Sequence, residues 1–318
     1  MFQMIDSLNL NLGVTEAGGI DFLKEVPSHL DDANRSEHCF DGCFYVVNGY
    51  VGSLKVFISR MSVIIKDSSF CKWCLGNNFK TLTRGDIKLG IEKLSDTLHL
   101  PMELAKVTRL DIGQNFVLKN PTGVYLRHLG TLRYAKRLQE PTGLYYAGTN
   151  TQLAFYDKVR EQTRAGENIP ELYKGRNVLR YEIRFLHRLP YTLHVSEVTG
   201  RLLYDEAFYM STIKRWYEAY KAISKINDIQ LDFEAMKGKK ELYRAGLLAL
   251  IEQRGGELSL LDEITEAQQR GELNKRQAFE MRTAIKNVCH TTTGKLLKEN
   301  CSVKELDKKV NEAVRFFR

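Results

Sequence analysis

A strand-like alternation runs through Val178-Leu-Arg-Tyr-Glu-Ile-Arg-Phe185. Successive side chains of a β-strand point to opposite faces, so this segment has one apolar face and one charged face. The charged face consists of Arg180, Glu182 and Arg184. A strand of this kind is typical of a sheet with one face packed on a core.

Two earlier segments alternate in the same way. In Lys106-Val-Thr-Arg-Leu-Asp-Ile-Gly113, Arg109 and Asp111 lie opposite the apolar residues. In Leu153-Ala-Phe-Tyr-Asp-Lys-Val-Arg160, strict alternation would put Lys158 and Arg160 on the face of Tyr156. If the three strands share a sheet, all of these polar groups meet on one surface.

The remaining sequence predicts an α+β protein: an antiparallel-sheet domain followed by a helical C-terminal region. Strand-like runs fill residues 1–190, interrupted by a helix that Thr83 and Asp86 would cap. Helical periodicity dominates after residue 200. We therefore expect a sheet domain over 1–190, a helical linker or support over 191–238, and a helix-turn-helix-like helical region over 239–318.

Composition narrows the class of protein. The chain has 318 residues, 43% of them hydrophobic, and a formal net charge of +8. That charge is typical of proteins that meet a polyanion, most often nucleic acid. No apolar run approaches the roughly 18 residues of a membrane span, and the first residues lack the basic start of a secretory signal. We expect no membrane partner.

The charged surface has the groups that metal-assisted attack on a phosphodiester needs. Asp111 and Glu182 would hold Mg²⁺ or Mn²⁺ through oxygen, since no His-hydrophobe-His pair offers nitrogen ligands. Tyr156 would be the nucleophile, and Lys158 would help to lower its pKa.

In a nuclease, this surface would position phosphates through Arg109, Arg180 and Arg184. The surface also has a plainer interpretation. Half-exposed antiparallel sheets also alternate apolar and charged residues without any catalytic role, and a strand tyrosine is often a packing residue. Alternation alone leaves both interpretations open.

The cysteines offer a second metal hypothesis. Cys71 and Cys74 have CxxC spacing, and Cys39 and Cys43 would supply two more thiolates for a tetrahedral zinc. The alternative is four reduced thiols in a reducing cytoplasm, which the looser spacing of the first pair favours.

Several segments resemble the replication initiators of the gene II/gene X type from filamentous phages and related plasmids. They occur in the family's order and are Met4-Ile-Asp-Ser-Leu8, Lys72-Trp-Cys-Leu-Gly-Asn-Asn-Phe79, Thr108-Arg-Leu-Asp-Ile-Gly113, Tyr145-Tyr-Ala-Gly-Thr-Asn150, Phe155-Tyr-Asp-Lys-Val-Arg-Glu161 and Leu179-Arg-Tyr-Glu-Ile-Arg184. The resemblance covers most of residues 1–190 and extends more loosely over 242–288.

The resemblance implies a rolling-circle initiator that nicks and joins one strand at an origin through a covalent phosphotyrosine. Residues 1–190 would form its nicking nuclease domain, and residues 239–318 a DNA-binding region. It implies Tyr156 as nucleophile, Asp111 and Glu182 as metal ligands, and Glu161 as a weaker third ligand. It also implies DNA contacts at Lys72, Asn77 and Asn78. Expected partners are single-stranded or hairpin origin DNA and, as candidates, a host helicase and polymerase in the bacterial cytoplasm. A mobilisation relaxase and a non-enzymatic DNA-binding initiator are the alternatives, and the oligomeric state stays open.

The C-terminal region predicts short helices with a basic face. Asn274-Lys-Arg-Gln277 would cap a helix whose Ala278, Met281, Ile285 and Val288 face inward. Its other side carries the predicted DNA contacts Lys275, Arg282 and Lys286. A plain helical bundle with a solvated basic face explains the same pattern.

Overall fold

The computed structural model describes residues 4–39, 43–225, 230–231, 236, 238–254, 256–291, 297–298 and 301–315. It confirms the predicted α+β class, with an antiparallel sheet followed by helices. The strands are β1 Ile5–Gly13, β2 Asp31–Cys39, β3 Cys43–Val51, β4 Leu54–Ile58, β5 Ser62–Ile65, β6 Lys106–Leu118, β7 Lys136–Glu140, β8 Gly143–Ala147, β9 Thr151–Asp157, β10 Asn177–Phe185, β11 Gln230–Leu231 and β12 Leu297–Lys298. The helices are α1 Phe22–Glu25, α2 Phe70–Leu75, α3 Arg84–Leu98, α4 Thr122–Arg127, α5 Lys158–Arg164, α6 Leu189–Leu193, α7 Glu206–Lys221, α8 Lys239–Gln253, α9 Glu257–Gln269, α10 Lys275–Thr291 and α11 Cys301–Arg315.

Ten strands form the main sheet, and its order repeats a single topology. The order is β2-β3-β4-β5-β1-β6-β10-β9-β8-β7. In each half the chain leaves a central strand, β1 or β6, runs to the outer edge and returns strand by strand. β10 in the second half thus corresponds to β5, which reads Ser62-Val-Ile-Ile65 and has no charged residue. At this position of the repeated topology, only the second half of the sheet therefore has a charged strand.

The apolar face of β10 packs against α7. Tyr181 stacks on Phe155 with ring centroids 4.3 Å apart and lies 4.8 Å from the ring of Trp216. The Tyr181 hydroxyl donates a hydrogen bond of 2.9 Å to the Trp216 carbonyl oxygen. Phe208, Trp216 and Tyr220 are buried, so the aromatic stripe of α7 belongs to the core.

Local capping fixes the starts of two helices. Thr83 and Asp86 form the predicted capping box at the start of α3. Asp157 caps α5, where its side chain accepts a hydrogen bond from the Arg160 amide. The prediction of a strand through Arg160 was wrong, because β9 ends at Asp157 and helical geometry begins at Lys158.

Contacts divide the chain into two compact units. The first is Met1–Ile226 with Glu305–Arg318, and the second is Asn227–Lys304. Residues 191–226, expected as a linker or support, contain α7 and pack within the first unit. The functional division at residues 190 and 238 stays a prediction.

The second unit has its own small core. Ile251, Ile264, Ala278 and Ile285 of α8, α9 and α10 pack together. Asn274 and Gln277 cap α10 reciprocally as predicted, with hydrogen bonds of 2.9 and 3.0 Å. Met281 does not face inward as expected, since 45% of it is exposed. Within the described parts of both units, no helix is long and apolar enough to cross a membrane.

Candidate functional site

The register of four neighbouring strands brings the predicted polar residues onto one face. Each row of cross-strand partners runs from β8 through β9 and β10 to β6. The rows are Gly143, Tyr156, Arg180 and Asn115; Tyr145, Ala154, Glu182 and Gly113; and Ala147, Gln152, Arg184 and Asp111. Glu182 therefore has Tyr156 and Asp111 as diagonal neighbours, and this confirms that the three alternating segments share a sheet.

Glu182 is the centre of this face. Its Oε1 accepts hydrogen bonds from Tyr156 Oη at 2.6 Å and Arg180 Nε at 2.7 Å, and its Oε2 accepts one from Arg184 Nε at 2.9 Å. Burial alone would raise the pKa of Glu182, but Arg180 and Arg184 overcome it and lower the pKa to about 2. The carboxylate is therefore charged at neutral pH.

Arg180, the donor to Glu182 Oε1, is fully buried. Its Nη1 donates to Asn115 Oδ1 at 3.2 Å and to the Asn78 carbonyl oxygen at 3.4 Å. Its Nη2 lies 2.6 Å from Asp6 Oδ1, an ion pair whose angles depart from hydrogen-bond geometry. The predicted phosphate contact at Arg180 would need an exposed guanidinium, and this one is enclosed by protein groups.

Asp6 is a site residue that the sequence interpretation missed. Burial raises the pKa of its carboxyl to about 6, although Arg180 opposes the shift. Asp6 lies in the Met4–Leu8 segment, which carried the family resemblance but suggested no role. The signal was a lone acid in an otherwise uncharged strand, which is costly to bury without a partner.

Small residues surround Glu182 in its own row. A Cβ on Gly113 would lie 2.6 Å from Glu182 Cγ and 2.9 Å from the Tyr181 carbonyl oxygen. Ala154 flanks Glu182 on the other side. Since carbon atoms pack at about 3.5–4.0 Å, only glycine at position 113 leaves the Glu182 side chain where it is. Gly113 and Ala154 therefore leave space for the Glu182 side chain in its own row.

Asp111 is paired with Arg109. Arg109 donates from Nε to Oδ1 at 3.0 Å and from Nη2 to Oδ2 at 2.8 Å, a bidentate pair on a buried carboxylate. Burial raises the pKa of Asp111, and the hydrogen bonds from Arg109 oppose that rise. Arg109 and Arg184 are partly exposed, so both can meet a ligand from the open side.

Tyr156 keeps its proton in this arrangement. Burial raises the pKa of its hydroxyl well above the ordinary value, Glu182 adds to the rise, and Arg180 opposes it. An attack by this oxygen therefore needs further positive charge near it when substrate binds.

Lys158 lies beside Tyr156, although not by strand alternation. Its ammonium group is 5.8 Å from the centroids of both the Tyr156 and Phe79 rings and donates to Glu161 Oε2 at 2.9 Å. Burial and Arg180 lower the pKa of Lys158, while Glu161 raises it. The first turn of α5 thus returns Glu161 to the neighbourhood of Lys158, which a continued strand would not.

The predicted Lys72–Phe79 segment covers part of the charged face. Asn115 Nδ2 donates to the Phe79 carbonyl oxygen at 2.6 Å, and Asn78 meets Arg180 through its main chain. Asn77 Oδ1 accepts from the Phe79 amide and so stabilises the turn. The ammonium group of Lys72 pairs with Glu167. DNA contacts by the side chains of Lys72, Asn77 and Asn78 stay predictions.

The remaining predicted residues belong to elements other than the four strands of this face. Lys275 and Lys286 are exposed on α10 of the second unit, while Arg282 donates to Gln268 Oε1 at 2.8 Å within that unit. Cys71 is buried and donates to the Lys80 carbonyl oxygen at 2.9 Å, and burial raises the pKa of its thiol to about 12. The side chains of Cys39 and Cys43 lie outside the described residues, so the zinc hypothesis stays open.

Asp111 and Glu182 are the two carboxylates of this face that were predicted to hold a metal ion. Among the residues that the structure describes, no group of three His, Cys, Asp or Glu side chains is arranged to hold a metal ion. Mg²⁺ is often bound by one or two carboxylates together with substrate phosphates, and Asp111 and Glu182 form such a pair of diagonal neighbours. Glu161 is engaged by Lys158 and Gln162.

Comparison with known protein families gives one informative match. A family described as the N-terminal region of a phage replication-associated protein, the gene II product, matches residues 4–201. This range contains every polar residue of the face described above and confirms the resemblance to gene II-type initiators. A search of curated proteins finds no matching sequence.

Proposed function

The chain belongs to the gene II family of phage replication-associated proteins, and on that premise we propose that it nicks and rejoins one DNA strand through Tyr156. The family acts in phage DNA replication as rolling-circle initiators, so DNA is its partner. The proposal adds the chemistry: attack by a tyrosine oxygen, a covalent 5′-phosphotyrosine and a free 3′-hydroxyl.

One observation carries the proposal. The Tyr156 hydroxyl donates to Glu182 at 2.6 Å, and two arginines hold that carboxylate on a face that also contains Asp111. An ordinary packing tyrosine does not need a buried, charged acceptor whose position is fixed by two further buried or partly buried cations. Held in this way, the hydroxyl has a defined direction of approach to a bound phosphate.

Each residue of the face would have a distinct role in cleavage. Glu182 positions the hydroxyl, because a carboxyl with a pKa of about 2 is a poor proton acceptor. Tyr156 Oη forms the new bond to phosphorus, the bond to the 3′ oxygen breaks, and that oxygen takes a proton. Arg109 and Arg184, at the open side, would pair with phosphates next to the reacting one.

We include a divalent cation, Mg²⁺ or Mn²⁺, in the proposal, with Asp111 and Glu182 as its protein ligands. Such an ion would supply the charge that lowers the pKa of the tyrosine hydroxyl and polarises the phosphoryl oxygens. Binding can be measured without catalysis, by following free Mn²⁺ by electron paramagnetic resonance in the presence of an origin oligonucleotide. Asp111→Asn and Glu182→Gln should weaken Mn²⁺ binding at least tenfold, while Asp96→Asn on α3 should leave it unchanged.

The second unit would contribute affinity for duplex DNA. Exposed Lys275 and Lys286 on α10 would contact phosphates without reading sequence. Each such contact contributes about 0.9 to the slope of log affinity against log salt concentration. Lys286→Ala should reduce that slope by about one, measured by fluorescence anisotropy over roughly 50 to 300 mM salt.

The direct test is an adduct assay. The protein is mixed with Mn²⁺ and a supercoiled plasmid that carries the replicon's own origin, and covalent protein–DNA complexes are separated by denaturing electrophoresis. Tyr156→Phe should remove the adduct at position 156, which peptide mapping identifies, and Tyr134→Phe, which alters an exposed tyrosine, is the matched control.

Other outcomes would identify other activities. Nicking without an adduct would mean that water is the nucleophile. Binding without cleavage under any divalent cation would favour a non-enzymatic initiator. An adduct that forms on a transfer origin in preference to a replication origin would favour a mobilisation relaxase.

A further inference from the structure

A second tyrosine, Tyr145, shares the charged face with Tyr156. We propose that Tyr145 is a second nucleophile, which cleaves the regenerated origin while Tyr156 is still esterified to DNA. This inference rests on the proposed function, since it concerns the later steps of the same strand-transfer reaction.

The register puts the two tyrosines on adjacent strands and neighbouring rows. Tyr145 on β8 pairs with Ala154, and Gly143 on β8 pairs with Tyr156. Both tyrosines therefore point to the face of Glu182. The neighbouring Tyr146 points to the opposite face, where its hydroxyl is buried and donates to the Gly130 carbonyl oxygen at 2.8 Å.

The ring of Tyr145 leans toward the row of Tyr156. A Cβ on Gly143 would lie 3.1 Å from both Tyr145 Oη and Tyr145 Cε2. Cross-strand Cβ positions are about 4.5–5.5 Å apart, so the Tyr145 hydroxyl lies within one side chain's reach of Tyr156. The absence of a side chain at Gly143 is what allows this approach.

The Tyr145 hydroxyl is also free to react. It makes no hydrogen bond to any residue in the described part of the chain, whereas Tyr156 is held by Glu182. Tyr145 is partly exposed. Burial raises the pKa of Tyr145, Glu140 adds to the rise, and Arg184 opposes it. Glu182 and Glu161 also raise this pKa, so Tyr145 lies within the electrostatic field of the same site.

Strand joining requires a second cleavage, and Tyr145 would be its nucleophile. After the first cleavage, Tyr156 Oη is bonded to phosphorus and cannot attack a second phosphodiester. In the second cleavage, Tyr145 Oη would bond to phosphorus at the regenerated junction, and the bond to the 3′ oxygen would break. The Tyr145 proton would pass to that oxygen. The new 3′-hydroxyl would then attack the phosphotyrosine at Tyr156, join the strand and return a proton to the Tyr156 oxygen.

The test separates the two cleavages. The full-length protein is first reacted with a labelled origin oligonucleotide, so that Tyr156 becomes esterified to one of its fragments. The other fragment, which ends in the free 3′-hydroxyl, is short enough to dissociate. A second origin oligonucleotide with a different label is then added. Wild-type protein should acquire the second label, and peptide mapping by mass spectrometry should find it on Tyr145.

Variants give the expected and the overturning results. Tyr145→Phe should keep the first adduct at near wild-type yield and lose at least about 90% of the second, while Tyr134→Phe should keep both. Full second cleavage by Tyr145→Phe would overturn the proposal, and so would loss of its first adduct. A second cleavage whose rate rises with protein concentration would overturn it too, because another copy would then supply the nucleophile. If wild-type protein forms no adduct at all, the proposed function fails instead.

Discussion

Replacing Gly113 by alanine should displace the carboxylate that holds the tyrosine. The added Cβ would lie 2.6 Å from Glu182 Cγ, about 1 Å inside the usual packing distance of two carbons. A shift of that size would lengthen the hydrogen bond from Tyr156, now 2.6 Å, to about 3.6 Å, where it is no longer a hydrogen bond. The backbone cannot easily yield, because the Tyr181 carbonyl oxygen is 2.9 Å from the new atom.

We expect two measurable effects. Overpacking a buried site costs roughly 1–3 kcal/mol of unfolding free energy, which urea denaturation can detect. Loss of the Tyr156 position should reduce the rate of adduct formation at least tenfold, equivalent to about 1.4 kcal/mol of activation free energy. DNA affinity, measured by anisotropy, should change less than twofold because Arg109 and Arg184 remain.

Gly123→Ala is the matched control. A Cβ at this position of α4 would meet nothing within 4 Å, so the substitution should be neutral or stabilise the helix by up to about 1 kcal/mol. If Gly113→Ala forms the adduct at the wild-type rate, the contact between Glu182 and Tyr156 does not position the nucleophile. The account of the site would then be wrong.

The stability that Glu182 contributes should fall as the pH drops below the ordinary range of a glutamate, because the arginines hold its folded pKa low and protons bind the unfolded chain first; Glu182→Gln should flatten this part of a urea-unfolding series. Thr83→Ala should remove the capping box of α3 and cost about 1 kcal/mol in the same assay, and Thr97→Ala, at a half-buried position away from the cap, should cost less. Asp6→Asn should slow adduct formation about tenfold with DNA affinity unchanged, because Arg180 loses its ion-pair partner; an unaltered rate would contradict this role.

The strand segments were predictable because alternation has a direct structural cause. A period of two in Val178–Phe185 can be satisfied only by a strand with one apolar face, and Tyr181 packs on Phe155 and Trp216 as the pattern requires. The end of β9 was not predictable from alternation. Asp157 could continue the strand or cap a helix. Only the hydrogen bond that its carboxylate accepts from the Arg160 amide distinguishes the two.

The sequence alone also determined which residue types the site contains, since their order along three strands matches a family of initiators. Only the tertiary structure decided their partners. Asp6 and Asn78 come from distant segments, and they enclose Arg180 because β1 joins the centre of the sheet and the segment after α2 crosses its charged face. A buried charge must find its partner in three dimensions, and no local pattern in the chain records which one it finds.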